Sequence, residues 1–424
     1  MTTAAAPWPA PQPAAASRVT LPTVLTFAGG VFILLLYSQG WEMPLTGGKD
    51  EQTESGLLRA IYFPAYAVAL ALVLARPWNT LRALVRQPFL ILMLGIVAAS
   101  IFWSVSPDQT ARRIVANYCT TIGGVVLAAR WRWASLAEVI GAAFAILAVC
   151  SLFMALFVPS LGVMHELFPG AWRGLWLEKN AFGSNMAFAF TIFGAAAILN
   201  PSRAKLWWGL GALAFLLLLM STSKTSLVSL VLGAGGMVFI ALIRRGPGSA
   251  VAATWAGIVG VGLIASMILF ASDVFLGLLG KDATLTGRTK IWDGVIRQIH
   301  ARPMTGYGYG AVWDEEGRWG PLAKITKIAG FRAHHAHNSW LEQWLGLGIF
   351  GLVAWALMFV QTMVAAIVAI YRDRGAYLAV PFLIVYGLET LTESVANVYN
   401  DMRWTIFVAL AVKLAFPDRE LEKR

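Results

Sequence analysis

Charge is scarce in this sequence and cysteine is scarcer. Of the 424 residues only 13% are Asp, Glu, Lys or Arg, against 58% hydrophobic. With a mean hydropathy of +0.67, that balance excludes an ordinary soluble globular domain. The apolar runs reach bilayer-spanning length many times over, so the class is a polytopic, all-α membrane protein. The two cysteines, Cys119 and Cys150, fall inside apolar runs, and no disulfide framework is indicated. Acids are too few to balance the basic residues, giving a net charge of +11 and a pI of about 9.8. Those basic residues lie between spans and not in one soluble unit, so nucleic acid is not the expected partner. The opening residues, MTTAAAPWPAPQPAAAS, lack the charged start and apolar centre of a cleaved signal peptide and read as a disordered tail.

What is present divides into about twelve apolar spans. They lie near 20–38, 56–75, 88–105, 112–129, 134–158, 181–199, 206–220, 225–243, 250–272, 345–371, 377–393 and 400–417. The expected plan is a tail over 1–19, nine transmembrane helices over 20–272, a large loop over 273–340, three more helices over 341–417 and a short tail over 418–424. Short-loop Lys and Arg fix the orientation. Arg76, Arg82, Arg86, Arg130, Arg132, Arg203, Lys205, Arg244, Arg245, Arg372 and Arg374 alternate onto one side if both termini are cytoplasmic. The 273–340 loop and His165 then face the periplasm. Arg59, Arg112, Arg113, Arg173, Lys179, Lys224 and Arg403 stand at the outer ends of spans, against the rule. One reading is snorkelling, or pairing with Asp108, Glu178, Glu389 and Glu393. The other, preferred because so many converge on one face, is a cationic pocket for an anion at the outer leaflet.

The loop carries four of the five histidines, His300, His334, His335 and His337, together with nine basic residues. Long connections without purpose are uncommon, which makes it the functional candidate. Within it TGRTKIWDGVIRQIH has one apolar helical face through Ile291, Val295 and Ile299, with Thr286 as candidate N-cap and Pro303 as stop. YGYG, Tyr307–Gly310, reads as a turn-rich link. At the loop end, HHAHNSWLE gives Ser339 and Glu342 capping-box spacing, with Asn338 as the competing cap. His337 therefore precedes a helix N-terminus, where an anion is favoured. Two earlier segments belong to the same reading. RGLWLEKNAFG offers Arg173 and Lys179 as donors and Asn180 as a cap, and STSKTS offers hydroxyls and Lys224 to a phosphate; each also reads as an ordinary helix start or turn. The HHAH cluster has no cysteine nearby and no carboxylate at ligand spacing, so metal is not expected. A neutral histidine acting as general base fits the cationic surroundings better.

These residues resemble a known family. GRTKIW, RPMTGYGYGAVW and HAHNSWLEQWLGLGIFG, in that order, are similar to the O-antigen ligase and exopolysaccharide polymerase superfamily, with the earlier RG…KN and S-x-S-[basic] segments in register, so the resemblance covers Arg173 to Gly351. It implies a GT-C-like helical bundle in the bacterial inner membrane. The implied activity is metal-independent, inverting glycosyl transfer from a glycan on undecaprenyl diphosphate at the periplasmic face, with no cofactor. The family histidine falls on His337, which would deprotonate the acceptor hydroxyl, and the G-R arginine on Arg288, which would bind the diphosphate. The second basic position falls on Lys224, where the family more often has arginine; a lysine is a point charge without the bidentate fork. Arg173 and Lys179 are further donor-side candidates. Trp340, Trp344, Tyr307 and Tyr309 are candidates to stack on sugar faces, or are interfacial belt residues. Polymerisation of exopolysaccharide or O-antigen repeat units is the first reading, with a chain-length regulator as a candidate partner. The alternative is ligation of the glycan to lipid A core. A secondary transporter ranks lower, because mid-span charges are few and no internal repeat is visible.

The charge pattern makes a direct prediction. Lys281→Cys or Glu315→Cys is expected to react with a membrane-impermeant thiol reagent supplied from the periplasmic side. Labelling only after the inner membrane is permeabilised overturns the orientation.

Overall fold

The computed structural model describes residues 20–47, 58, 60–166, 168–270, 287–313, 317 and 319–421. Thr286, Arg59, Lys281 and Glu315 lie outside them, as do the 1–19 tail and the whole 273–286 stretch. Among the described residues the chain is helical, with one isolated β-bridge between Val163 and Trp172.

The helices run α1 (Leu21–Tyr37), α2 (Phe63–Ala75), α3 (Pro77–Val85), α4 (Pro88–Ala99), α5 (Pro107–Arg130) and α6 (Trp133–Phe157). They continue with α7 (Lys179–Leu199), α8 (Ala204–Met220), α9 (Lys224–Ile243) and α10 (Pro247–Phe270). The polar connection that follows holds α11 (Arg288–Ala301) and α12 (Pro321–Ala329), and the bundle closes with α13 (Ser339–Arg372), α14 (Ala376–Thr392) and α15 (Met402–Ala415). Proline stands in the first turn of α1 to α5, where its missing N–H has no helical partner to lose.

Each of the twelve apolar segments coincides with a helix, but not each is long enough to cross. Five described helices have the length and composition of a span: Trp133–Phe157, Lys179–Leu199, Pro201–Met220, Lys224–Ile243 and Ser339–Arg372. Phe63–Ala75 and Pro77–Val85 would make one more only as a pair bent by 98°. The 14 residues of α15 rise about 21 Å, short of a hydrocarbon core of about 30 Å. The apolar window there took in Asn400 and Asp401, which are loop. α5 has the length but carries polar residues, Thr110, Arg113, Asn117, Thr120 and Thr121, on its buried face.

Two helices form the centre. α7 is buried almost throughout and packs on α6, α8, α9 and α14, while α15 is buried and lies against α5 and α13. An aromatic stack of Trp355, Phe359, Tyr386, Trp404 and Phe407 joins α13, α14 and α15. Outer faces are apolar as well: Leu206, Phe215, Leu216, Val231, Val238, Val360, Val364 and Ile367 are all exposed. Apolar surface of that extent is what hydrocarbon, and not water, tolerates. The chain end is docked: Glu420 accepts from Arg82 at 3.1 Å and Arg86 at 3.0 Å, and Asp418 pairs with Lys413 at 2.8 Å. The 418–424 stretch is thus no free tail over its described part.

α13 is broken at Gly348, whose φ is 68°. The break lets residues 303–308 pair with it: Tyr307 N–H donates to Leu345 O at 3.0 Å, Gly308 N–H to Gly346 O at 2.9 Å and Ile349 N–H to Pro303 O at 2.9 Å. YGYG is therefore a docked segment and not a link. A side chain at Gly348 would run into the Met304 carbonyl, and one at Gly308 into Ser104. The loop helices α11 and α12 pack on each other, and α11 also on α13, so the polar connection is seated on the bundle.

Gly348→Ala is expected to lower the thermal unfolding midpoint of the detergent-solubilised protein by several degrees, since Ala at a positive φ with no room destabilises by more than about 1 kcal/mol. Gly95→Ala in α4, where an added methyl meets nothing within 4 Å, is the control and should leave the midpoint unchanged or raised. Equal midpoints for both variants would count against the break as a structural requirement.

Candidate active site

The loop end is fixed from several sides before any chemistry is considered. Asn338 caps α13, its side chain accepting from Trp340 N and Leu341 N at 3.0 Å each. Asn338 and not Ser339 is the cap, and the capping box does not form. Ser339 instead donates to Glu393 O at 2.8 Å and accepts from Val395 N at 2.9 Å, pinning the turn between α14 and α15. Glu342 accepts from Ala336 N at 2.9 Å, from the Trp313 indole and from Ser394 Oγ at 3.3 Å. Trp292 of α11 donates to Ala336 O at 2.8 Å. His337 is left with φ 49°, a left-handed conformation uncommon outside glycine and often found at functional positions.

The result brings three residues together from three parts of the chain. Arg288 Nη2 donates to Glu393 Oε1 at 2.7 Å, and its Nη1 donates to Thr392 O at 2.5 Å. The other carboxylate oxygen, Oε2, lies 3.0 Å from His337 Nδ1. All three side chains are half-buried, at 16%, 28% and 27% exposure for Arg288, Glu393 and His337. Burial alone would raise the Glu393 pKa, but the hydrogen bond from His337 and the Arg288 charge outweigh it and hold the carboxyl down at about 2. His335 lies beside His337, ring centroids 3.9 Å apart, and its Nδ1 accepts from His337 N at 3.3 Å. Burial, then the neighbouring His337, pushes the His335 pKa down to about 3, so that ring is neutral near pH 7.

Three cavities meet at this group. A small one of about 30 Å³ lies between Arg288, Glu393 and the hydroxyls of Ser184, Ser223, Thr225 and Ser226. One of about 300 Å³ touches His335, His337 and Glu393 and extends to Trp176, Asn180 and Glu42. One of about 410 Å³ lies beyond His335, walled by Arg113, Tyr309, Trp313, Gln343 and Asn397. The floor is a buried polar network: Asn117 donates to Tyr309 Oη at 2.8 Å, Tyr309 donates to Asn397 O at 2.6 Å, and Asn397 donates to Gln343 Oε1 at 3.1 Å.

The sequence-derived candidates separate on this geometry. His337 and Arg288 are brought together, through Glu393. Lys224 opens α9, capped by Ser223, and Lys179 opens α7, its Nζ 3.2 Å from Thr222 Oγ1; Asn180, not the cap of α7, accepts from Ser223 Oγ at 2.9 Å. Neither lysine lines the three cavities. Arg173 is turned away, its Nε on Leu161 O at 2.6 Å. Arg403 pairs with Asp401 at 2.6 Å and Arg113 donates to Gly310 O, and both also line the cavity of about 410 Å³. Tyr309 lines the largest cavity, but Tyr307 is buried with its hydroxyl on Gln298 O at 3.1 Å. Trp340 packs against Trp355 and Phe359 and donates to Thr390 Oγ1 at 3.2 Å, lining none of these cavities. Glu393 is the residue sequence reasoning did not assign to the site. Its signal was an acid at the outer end of a span, read only as a pairing partner for excess basic residues. The carboxylate that HHAH lacks at ligand spacing also arrives this way: His335, His337 and Glu393 offer ligand atoms within 4.8 Å of one another.

Comparison with known proteins bears on the same stretch. Residues 209–356 match the O-antigen ligase family model. The exopolysaccharide production protein ExoQ of Rhizobium meliloti (strain 1021) is 30% identical over 283 residues, covering 62% of this chain and 61% of ExoQ. The chain thus spans about three fifths of the curated relative it matches. Both comparisons show similarity to the O-antigen ligase and ExoQ-like superfamily over part of the chain.

Because the Glu393 carboxyl is held low, its stabilising contribution is complete above the ordinary glutamate value of about 4.3 and is lost as pH falls toward about 2. The difference in unfolding midpoint between the protein and Glu393→Gln should therefore be constant from pH 7 to about 5 and shrink below about 4. A difference independent of pH would mean that the Glu393 charge is not what holds Arg288 and His337.

Proposed function

We propose, taking the O-antigen ligase and ExoQ-like superfamily as the family of this chain, that it transfers a glycan from undecaprenyl diphosphate to a sugar hydroxyl at the periplasmic face of the bacterial inner membrane. The observation that carries the reading is the Arg288–Glu393–His337 chain, joined at 2.7 and 3.0 Å. With Nδ1 engaged by the carboxylate, His337 keeps Nε2 for a proton acceptor's role, and Glu393 holds ring and tautomer as a positioning residue. The acceptor hydroxyl gives its proton to Nε2 as its oxygen bonds to the anomeric carbon. The bond from that carbon to the diphosphate oxygen breaks, and the electron pair leaves with the diphosphate. Arg288, beside the hydroxyl-lined cavity, faces the charge that develops there, where preorganised cations contribute most. Single displacement with inversion is the simplest balance of these steps and needs no metal or cofactor.

Of the donor-side candidates, Lys224 and Lys179 lie at helix starts next to the serine-rich turn and suit the distal phosphate; Arg173 supports the 158–162 turn. Tyr309 and Trp313 are better placed than Trp340 or Tyr307 to meet a sugar. Polymerisation of repeat units is the favoured outcome, since the similar protein is named for exopolysaccharide production. Ligation of the glycan to lipid A core is the second reading, favoured by the name of the matching family model. A chain-length regulator would be a partner only in the first.

His337→Ala should abolish measurable transfer, as a general base contributes about 10²–10⁴ in rate, while the protein still inserts and accumulates. His334→Ala and His335→Ala should keep a substantial part of the activity. Arg288→Lys should fail despite retaining charge, because the planar fork that spans Glu393 and Thr392 is lost. The measurement is polymer formation in a deletion strain complemented at matched protein level. Wild-type polymer from His337→Ala removes the base assignment; an inactive His335→Ala beside an active His337→Ala moves it two residues upstream.

A further inference from the structure

Among the described residues one group can hold a metal ion, and it is His335, His337 and Glu393. The fold alone assembles it: two imidazoles come from the loop end and the carboxylate from the turn after α14. Two imidazoles and one carboxylate are a donor set for zinc or a similar borderline cation, with a fourth position left to solvent. Tetrahedral zinc with bonds of about 2.0–2.2 Å sets its ligand atoms about 3.3 Å apart. The three atoms here lie within 4.8 Å of one another, a gap that the side chains must close by rotation on taking up the ion. Glu393 Oε1 can stay on Arg288, at 2.7 Å, as the outer partner that a ligating carboxylate ordinarily has. The cavity of about 300 Å³ touches all three residues and gives the ion a way in.

We propose that His335, His337 and Glu393 form a binding site for a zinc-type divalent cation, and that its occupancy arrests glycan transfer. The arrest follows from imidazole chemistry. A cation on His337 Nε2 occupies the lone pair that would take the acceptor's proton, and a cation on Nδ1 drives the ring proton onto Nε2. Either way the base is consumed, and Glu393 is withdrawn from orienting it. The binding site stands on the geometry alone; only the arrest rests on the functional reading above.

The test uses the purified full-length protein and Co²⁺ as a spectroscopic probe. Co²⁺ should give the visible absorption of a tetrahedral nitrogen–oxygen site, and Zn²⁺ should displace it. The affinity should fall at least about 10-fold in both His335→Gln and Glu393→Gln, with His334→Gln unchanged. No Co²⁺ spectrum, or equal affinity in all variants, overturns the site. In the transfer assay, Zn²⁺ should suppress glycosidic bond formation over the same titration, EDTA should restore it, and EDTA alone should leave the rate unchanged. Zn²⁺ bound without loss of transfer overturns the arrest, as does a rate that EDTA abolishes and Zn²⁺ restores. Intact Co²⁺ binding in a protein with no transfer at all would leave the site standing and defeat the functional reading instead.

Discussion

One carboxylate holds this site together. Arg288 begins a helix of the polar loop, His337 ends that loop, and neither touches the other except through Glu393. The glutamate engages the ring nitrogen that faces it, and the cavity of about 300 Å³ touches both residues. The backbone around it is built to that end: Ser339 holds the glutamate's carbonyl and Glu342 the loop that presents His337.

The same arrangement separates two environments. On the Arg288 side, small hydroxyl residues of α7 and α9, together with Glu389 and Glu393, line a cavity of about 30 Å³. On the His337 side the space is ten times larger and bounded by indole, amide and carboxylate groups. The broken α13 links the two levels of the molecule. Its upper part belongs to the loop and its lower part to the bundle, and the Gly348 break is where residues 303–308 dock.

Much of this was legible in the sequence. Apolar runs marked every long helix, because burial in lipid and burial in protein both select the same residues; that equivalence is also why an apolar run alone does not say whether its helix is long enough to cross. His337 and Arg288 were singled out through the resemblance of their motifs, and the structure brings them to the same carboxylate. Glu393 was not, because an acid at a span end has no local pattern, and its partners lie 56 and 105 positions away. Arg173, Tyr307 and Trp340 were named on residue type, and the structure engages each of them elsewhere. Residue type announces what a side chain can bind, whereas backbone carbonyls and aromatic packing had already taken these three. The positive φ values at His337 and Gly348 had no signature beyond the presence of a tolerant residue type.

The central claim is that the cation, the carboxylate and the imidazole act in a single displacement at a lipid diphosphate. The most direct measurement is a single-turnover reaction of the purified protein with a defined glycan on undecaprenyl diphosphate and a free acceptor sugar, following both products. The account predicts that free undecaprenyl diphosphate and the new glycosidic bond, inverted at the anomeric carbon, appear together and in equal amounts. Release of the lipid without bond formation, or a bond formed with retained configuration, would contradict it.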